Sequence, residues 1–290
     1  MQDILDRLPD PTADLRALCQ AVHASALRHD GQMAAALDLF TAALAIPGLT
    51  LDGESAVRQR MSLALVHAGR AEEGLHMAAE TLRRQPTLMN RAVRAAILTM
   101  LGDFHTALQD YMEVLATCDL RSEKRIFMTS VANVAHILSY EAMSDVEEDV
   151  VARLLSALAD CRSALPKAGS SYYAARRPRL MLARAEALLL VRARPPRLSR
   201  ATSILRRVVD GLSDSYPDDA LVASADLAWL YAGDGRTALA GKECQRTLEL
   251  CEESKFSLKR SAVSVVKAAA ERGSLSVSQA VEIRSLLRPV

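Results

Sequence analysis

The sequence predicts an all-α fold, an α-solenoid of five to six helical hairpins with capping helices at the C-terminus. Half of the 290 residues are apolar but only 4% are aromatic, so the apolar residues are mostly Ala and Leu, which favour helices over strands. Only 12 Gly and 10 Pro interrupt the chain. Stretches with helical periodicity also recur in pairs around single glycines, which indicates internal repeats.

The first three repeats align on the glycine between their two helical stretches. Gly31, Gly69 and Gly102 each follow an Ala- and Leu-rich stretch and precede a second one, as expected for a left-handed helix C-cap. A small residue five positions after each glycine would let two antiparallel helices approach closely: Ala36, Gly74 and Ala107. Such a hairpin cannot bury its own apolar face, so it must stack on its neighbours.

The rest of the chain continues this pattern. A fourth repeat surrounds Gly235, with Ala240 at the small position. Between the third and fourth repeats, periodicity predicts two more hairpins, 122–143 with 146–164 and 177–193 with 198–212. Terminal helices over roughly 257–272 and 276–288 would cap the stack.

A segment rich in Pro, Gly and Ser at 166–176 is predicted to be a loop. It separates an N-terminal array, residues 1–165, from the C-terminal hairpins and capping helices, residues 177–290. The loop either divides the chain into two arrays or is a long connection within one continuous solenoid.

The aligned repeats resemble the tetratricopeptide repeat (TPR), a helical hairpin with small residues at fixed positions of both helices. The four repeats place these small or turn residues in matching slots: Ala24, Gly31, Ala36, Ala43; Ser62, Gly69, Gly74, Thr81; Ala95, Gly102, Ala107, Val114; Ala228, Gly235, Ala240, Thr247. The Trp typical of position 4 of the repeat is absent from all four, where Gln20, Arg58, Arg91 and Ser224 stand instead, so the repeats are divergent. The resemblance implies a right-handed solenoid whose first helices line a concave groove.

Alignment to that family places an apolar, Met-bearing surface in the groove, with Leu18 and Val22 at its positions in the first repeat. The candidate partner-binding residues are Arg28, His29, Gln59, Arg60, Leu63, Val66, His67, Met89, Val93 and Met100. An apolar groove suits an amphipathic helix or an extended apolar peptide. If the alignment is out of register, the same residues are ordinary core between repeats.

The net charge of +1 conceals a segregation of charge. Residues 176–207 contain ten Arg and one Glu, whereas residues 141–160 contain six acidic residues and one Arg. The candidate basic patch is Arg176, Arg177, Arg179, Arg197, Arg200, Arg206 and Arg207. These arginines could pair with the acidic segment, bind an acidic partner or nucleic acid, or be solvated.

Catalytic, metal-binding and cofactor motifs are lacking, so we expect a non-catalytic protein without cofactor or metal. The N-terminus lacks the pattern of a signal peptide and no apolar run suffices for a membrane span, which predicts a cytoplasmic protein without a membrane partner. We expect a bacterial-type scaffold or regulatory protein that holds a protein or peptide in its groove. The alternative is a nucleic-acid-associated regulator that binds through residues 176–207.

Overall fold

Ala- and Leu-rich stretches form helices throughout the computed structural model, because these residues lose little conformational freedom in a helix. The structure describes residues 12–140, 148–166, 175–213, 215–253 and 260–286. Within these ranges the chain forms fourteen α-helices and no strand. The helices group into two compact units, the first ending at Ala116 and the second beginning at Thr117.

The first unit consists of three helical hairpins. They are α1 (Ala13–His29) with α2 (Met33–Leu44), α3 (Leu51–His67) with α4 (Ala71–Arg84), and α5 (Leu88–Leu101) with α6 (Phe104–Thr117). The first helices α1, α3 and α5 pack on one another in order, and α2 and α4 each also contact the next first helix. The two helices of the third hairpin are connected through Asp110 of α6. This residue is buried and accepts hydrogen bonds from Arg94 of α5 at 2.6 and 2.7 Å.

Threonine caps the start of each first helix in this unit. The hydroxyls of Thr12, Thr50 and Thr87 accept hydrogen bonds from the backbone N–H three residues later, at 3.3, 3.1 and 3.2 Å. Each bond satisfies one of the N–H groups that the first turn of a helix leaves without a partner. The start of each of the helices α1, α3 and α5 is therefore fixed by a bond between residues three positions apart in the sequence.

Glycine makes the turn inside the hairpins, as the repeat pattern predicts. Gly31, Gly69, Gly102 and Gly235 have φ angles of 77°, 80°, 85° and 73°, a left-handed conformation that residues with a Cβ adopt at a cost. The residue after each glycine donates its N–H to the carbonyl five positions earlier, over distances of 2.8–3.0 Å. This is the Schellman arrangement, which satisfies the final carbonyls of the first helix.

Small residues let the paired helices of the first unit approach closely. Ala36 and Ala107 are fully buried, and so are Ala24 and Ala95 on the first helices. At Gly74 the approach is closer still, because an added Cβ would lie 2.6 Å from the carbonyl oxygen of Ser62. The predicted role of the small positions in hairpin packing is confirmed.

The second unit contains three more hairpins and two further helices. They are α7 (Lys124–Leu138) with α8 (Glu148–Ser163), α9 (Arg176–Arg192) with α10 (Leu198–Leu212), α11 (Pro217–Gly233) with α12 (Thr237–Glu253), and then α13 (Arg260–Arg272) and α14 (Val277–Leu286). Helix α13 packs on α12, and α14 packs on α11 and α13. The largest core cluster of this unit is built mainly from Ala, Leu and Val.

The described residues therefore confirm an all-α repeat fold with six helical hairpins, followed by the two expected terminal helices. The hairpins predicted within 122–164 and 177–212 are both present. Most of the predicted loop at 166–176 lies outside the described residues, and its role as a divider between arrays stays a prediction.

We expect Gly74→Ala to destabilise the first unit by about 1–3 kcal/mol, because its methyl group would enter space that the backbone of α3 occupies. Helix propensity alone predicts the opposite, a gain of about 1 kcal/mol. Urea unfolding followed by circular dichroism measures the difference. The control is Gly233→Ala on α11, where an added Cβ meets no atom within 4 Å, and equal effects of the two substitutions would contradict the packing argument.

Candidate functional site

The predicted groove residues lie on the first helices α1, α3 and α5 of the first unit. All of them are half-buried except His29, which is exposed. Leu18 and Val22 on α1 are more open, with 37% and 42% of their surface accessible, and so is Leu15 with 37%. The three residues are spaced by three and four positions and therefore share one face of α1. We call this face, together with the half-buried groove residues, the first-helix surface.

A cationic cluster lies at the C-terminal ends of α1 and α3. The Arg28 guanidinium lies 3.1 Å from Nε2 of His29, and burial lowers the pKa of Arg28. Burial also lowers the pKa of His67 to about 4, and the positive charges of Arg28 and His29 add to the effect. One guanidinium nitrogen of Arg28 is buried without a hydrogen-bond partner in the described part of the chain.

Two of the predicted groove side chains take part in packing between helices. Gln59 donates to the side-chain oxygen of Asn90 on α5 at 2.7 Å, and Asn90 is buried. Val66 lies where a Cβ on Gly74 of α4 would be 2.7 Å from its Cγ2 methyl. Both side chains therefore contribute to contacts within the first unit, and a role of either in binding a partner stays a prediction.

Arginines of the candidate basic patch have partners inside the second unit. Arg176 donates to the Gly211 carbonyl at 3.0 Å and Arg179 to the Leu165 carbonyl at 3.1 Å. The remaining partners are carboxylates and tyrosines: Asp219 and the Tyr216 ring for Arg177, Glu186 for Arg200, and the Tyr231 hydroxyl for Arg206. Arg197 and Arg207 are exposed.

One alternative from the sequence was that arginines of residues 176–207 pair with the acidic segment, of which residues 141–147 lie outside the described residues. Asp149 of that segment forms an ion pair with Arg153 on its own helix at 3.0 Å. Among the described residues, Arg200 pairs with Glu186 of α9 and Arg177 with Asp219 of α11. Glu186 also pairs with Arg162, beside a cavity of about 550 Å³ that Arg207 helps to line.

The second unit also contains a buried ion network that the sequence patterns did not predict. Asp226 on α11 is 1% exposed and accepts hydrogen bonds from two arginines. Arg184 on α9 donates at 2.6 Å, and Arg284 on α14 donates at 2.7 Å to the other carboxylate oxygen. Burial acts to raise the pKa of Asp226, but the charges of Arg184 and Arg284 outweigh it and hold the pKa below its usual value.

Arg284 fills a pocket made by helices other than its own. Its guanidinium carbon lies 4.1 Å from the ring centre of Trp229 and 4.9 Å from that of Tyr140, distances typical of cation–π contacts. A guanidinium nitrogen also donates to the Ser139 hydroxyl at 2.6 Å. A carboxylate, a hydroxyl and two aromatic rings thus surround one side chain that is 3% exposed.

A hydrogen-bonded chain links Arg184 to the same pocket. Arg184 donates to Nδ1 of His136 at 3.2 Å, and Nε2 of His136 lies 3.2 Å from the Tyr140 hydroxyl. The Tyr140 hydroxyl donates to the Arg284 carbonyl at 3.3 Å. The Nε2–H tautomer of His136 satisfies every one of these bonds. The signal in the sequence was that Asp226 is an isolated charge within an Ala- and Leu-rich helix.

The described residues also bear on membrane spans and metal sites, through helix length, apolarity and ligand geometry. None of their helices is both long and apolar enough to cross a membrane. In the same ranges no group of three or more His, Cys, Asp or Glu residues is arranged to hold a metal ion. The predicted absence of cofactor and metal, and the predicted location, stay predictions.

We expect Asp226→Asn to lower the free energy of unfolding by about 3–5 kcal/mol, because it leaves two buried guanidinium groups without a counter-charge. Unfolding in urea, followed by the fluorescence of Trp229, the one Trp of the chain, measures the effect beside the site. The control is Asp210→Asn, which removes an exposed carboxylate from its 2.8 Å ion pair with Arg246 and should change stability by less than about 1 kcal/mol. Similar losses in both variants would mean that the network does not contribute as described.

The stability of the first unit should depend on pH through His67. The unfolded imidazole binds a proton near pH 6.5, whereas the folded one does so only near pH 4. The folded state is therefore stabilised above about pH 6.5 and loses up to about 2–3 kcal/mol as the pH falls toward 4. We expect His67→Gln to flatten this decline in urea unfolding measured between pH 7 and 4.5. The exposed His76 provides the control, and a decline that persists in His67→Gln but not in His76→Gln would refute the assignment.

The fold is shared with solved repeat structures. No protein-family model matches the sequence, and no curated protein matches it. Two crystal structures of a kinesin light chain-like protein with nearly identical TPR-like repeats, from Podosopora anserina, match 71% of this chain and 99% of their own. Their TM-scores are 0.52 and 0.51, and both are 18% identical in sequence. A tetratricopeptide repeat protein from Parabacteroides merdae covers 94% of this chain, at 14% identity and a TM-score of 0.47. This chain therefore has the fold of TPR-like repeats.

Proposed function

We propose that the protein is a non-catalytic scaffold that binds a protein or peptide on the first-helix surface of α1, α3 and α5. The observation that carries this proposal is the exposure of Leu18 and Val22 on the same face of α1. An isolated exposed aliphatic residue needs no explanation, but several on one helix face beside further half-buried aliphatic residues mark an interaction site. Leu63 and Val93, both half-buried, extend the apolar surface onto α3 and α5.

The chemistry of this surface defines the partner segment. Apolar side chains on α1 would be covered by the apolar face of a helix or by an extended apolar segment. At the C-terminal end of the surface lies Arg28, a half-buried cation of α1. A carboxylate is the acceptor that a guanidinium binds most strongly. The partner is therefore an apolar segment with an acidic group placed to reach Arg28.

Binding of nucleic acid through residues 176–207 is not favoured by the arrangement of the arginines. Five of the seven residues in the basic patch have partners within the second unit. Two of these partners are carboxylates, Asp219 for Arg177 and Glu186 for Arg200, and a carboxylate competes directly with a phosphate for a guanidinium group.

Selection of a random peptide library on the purified chain tests the proposed function. We expect enriched peptides to combine aliphatic residues with an acidic one, and to bind at least about ten-fold more weakly to the double variant Leu18→Asp, Val22→Asp. Covering either residue contributes about 1.5–3 kcal/mol, and about 1.4 kcal/mol equals a factor of ten. Salt should affect this binding little, unlike binding of nucleic acid.

The matched control carries the same charge at two exposed alanines of α2, Ala34→Asp and Ala35→Asp. This variant should bind the selected peptides as the unchanged protein does. Peptides that bind all three proteins equally would place the binding site elsewhere and refute the proposal for this surface. Circular dichroism checks that both variants keep their helical content.

A further inference from the structure

Polar side chains that surround Arg284 also bond to other residues outside α14. Asp226 has a second buried cation, Arg184, at 2.6 Å, which remains when Arg284 leaves. Tyr140 is within hydrogen-bond distance of His136, with the two rings perpendicular and 5.1 Å apart. Ser139 donates its hydroxyl to the His136 carbonyl at 2.6 Å. Arg184 of α9 therefore bonds to the carboxylate, and His136 of α7 to residues 139 and 140 at the end of α7, independently of the Arg284 side chain.

The balance of charges in this pocket lowers the free-energy cost of removing Arg284. Breaking a buried ion pair is costly mainly because it leaves an uncompensated charge behind. Here two buried arginines face one carboxylate, so the departure of Arg284 leaves Asp226 and Arg184 as a balanced pair. The Arg284 side chain gains full hydration on leaving. The ion pair of Arg284 with Asp226 can therefore be exchanged for hydration of the arginine and the remaining pair of Asp226 with Arg184.

The rest of α14 attaches through few residues. The helix has ten residues, and isolated helices of that length are marginal in water. Among its described residues, the fully buried anchors besides Arg284 are Ala280 and Ile283, one helical turn from each other, and the half-buried Leu286 packs on the same core. A helix that presents a small residue, an aliphatic residue three positions later and an arginine directly after it would make the same contacts.

We propose that this pocket is a guanidinium-binding site for an arginine-bearing helix of a partner protein, and that α14 occupies it in the absence of the partner. The partner helix would carry the spacing of Ala280, Ile283 and Arg284. Its arginine would take the place of Arg284 between the rings of Trp229 and Tyr140. The site lies wholly within the second unit, so it is separate from the surface proposed above for α1, α3 and α5.

A synthetic peptide of residues 274–290 is the probe, labelled with a fluorophore and added to the full chain. Arg284→Glu places a second acid beside Asp226 and should release α14, so this variant should bind the peptide. The unchanged protein should bind it at least about ten-fold more weakly, because the attached helix competes at an effective concentration in the mM range. Replacing the arginine of the peptide by alanine should weaken binding to Arg284→Glu by at least about ten-fold.

The matched control is Arg272→Glu, the same charge reversal at an exposed residue of α13, which should bind no more peptide than the unchanged protein. Equal binding by all three proteins, or no binding by a folded Arg284→Glu variant, overturns the proposal. Dimers of the unchanged protein that form with rising concentration and dissociate on adding the peptide would identify a second copy of the chain as the occupant, and would also overturn it.

A measurement on the unchanged protein decides the matter if Arg284→Glu fails to fold. We expect the backbone amides of α14 to exchange with deuterium at least about ten-fold faster than those of α11, because α14 leaves while α7, α9 and α11 stay packed. Amides of α14 that exchange only together with those of α11 would show a permanently docked helix and refute the proposal. The variant Leu18→Asp, Val22→Asp should leave both results unchanged, which separates this test from that of the proposed function.

Discussion

A helical hairpin cannot bury its apolar face by itself, and this constraint governs every other feature of the molecule. Each hairpin packs its two helices closely and leaves an apolar side that the next hairpin must cover. Small residues such as Ala36 and Ala107, both fully buried, permit the close approach within a hairpin. In the second unit the last hairpin, α11 with α12, is followed by α13 and α14, which cover it. Arg284 is buried because it lies on α14, one of these two covering helices.

The helices and turns were predictable because their determinants are local. The glycine turns, the small positions and the apolar periodicity all lie within segments of about 34 residues, the length of one repeat. The placement of the candidate groove residues on α1, α3 and α5 was also predictable, since the repeat alignment assigns each residue to a helix, and their role in binding stays a prediction. Gln59 illustrates the limit of that reasoning, because its hydrogen bond to Asn90 depends on how two neighbouring hairpins meet.

The buried ion network was beyond such reasoning for a physical reason. Arg184 is 42 residues from Asp226, and Arg284 is 58 residues from it, so no periodic pattern connects them. The excess of arginine in residues 176–207 indicated a charged surface, yet Arg184 of that segment is 4% exposed and forms part of the core. A charge count describes composition, whereas the partner of each charge is decided by tertiary packing.

The distances along the chain between Arg284 and its partners also set an order of assembly. The threonine caps and glycine turns of the hairpins bond residues three to five positions apart, so each hairpin can form as soon as it has been synthesised. The hydrogen bond between Ser139 and Arg284 closes a loop of 145 residues. Arg284 leaves the ribosome after Ser139, Arg184 and Asp226, and nascent protein therefore exposes an empty arginine pocket for the time that the last helices take to emerge.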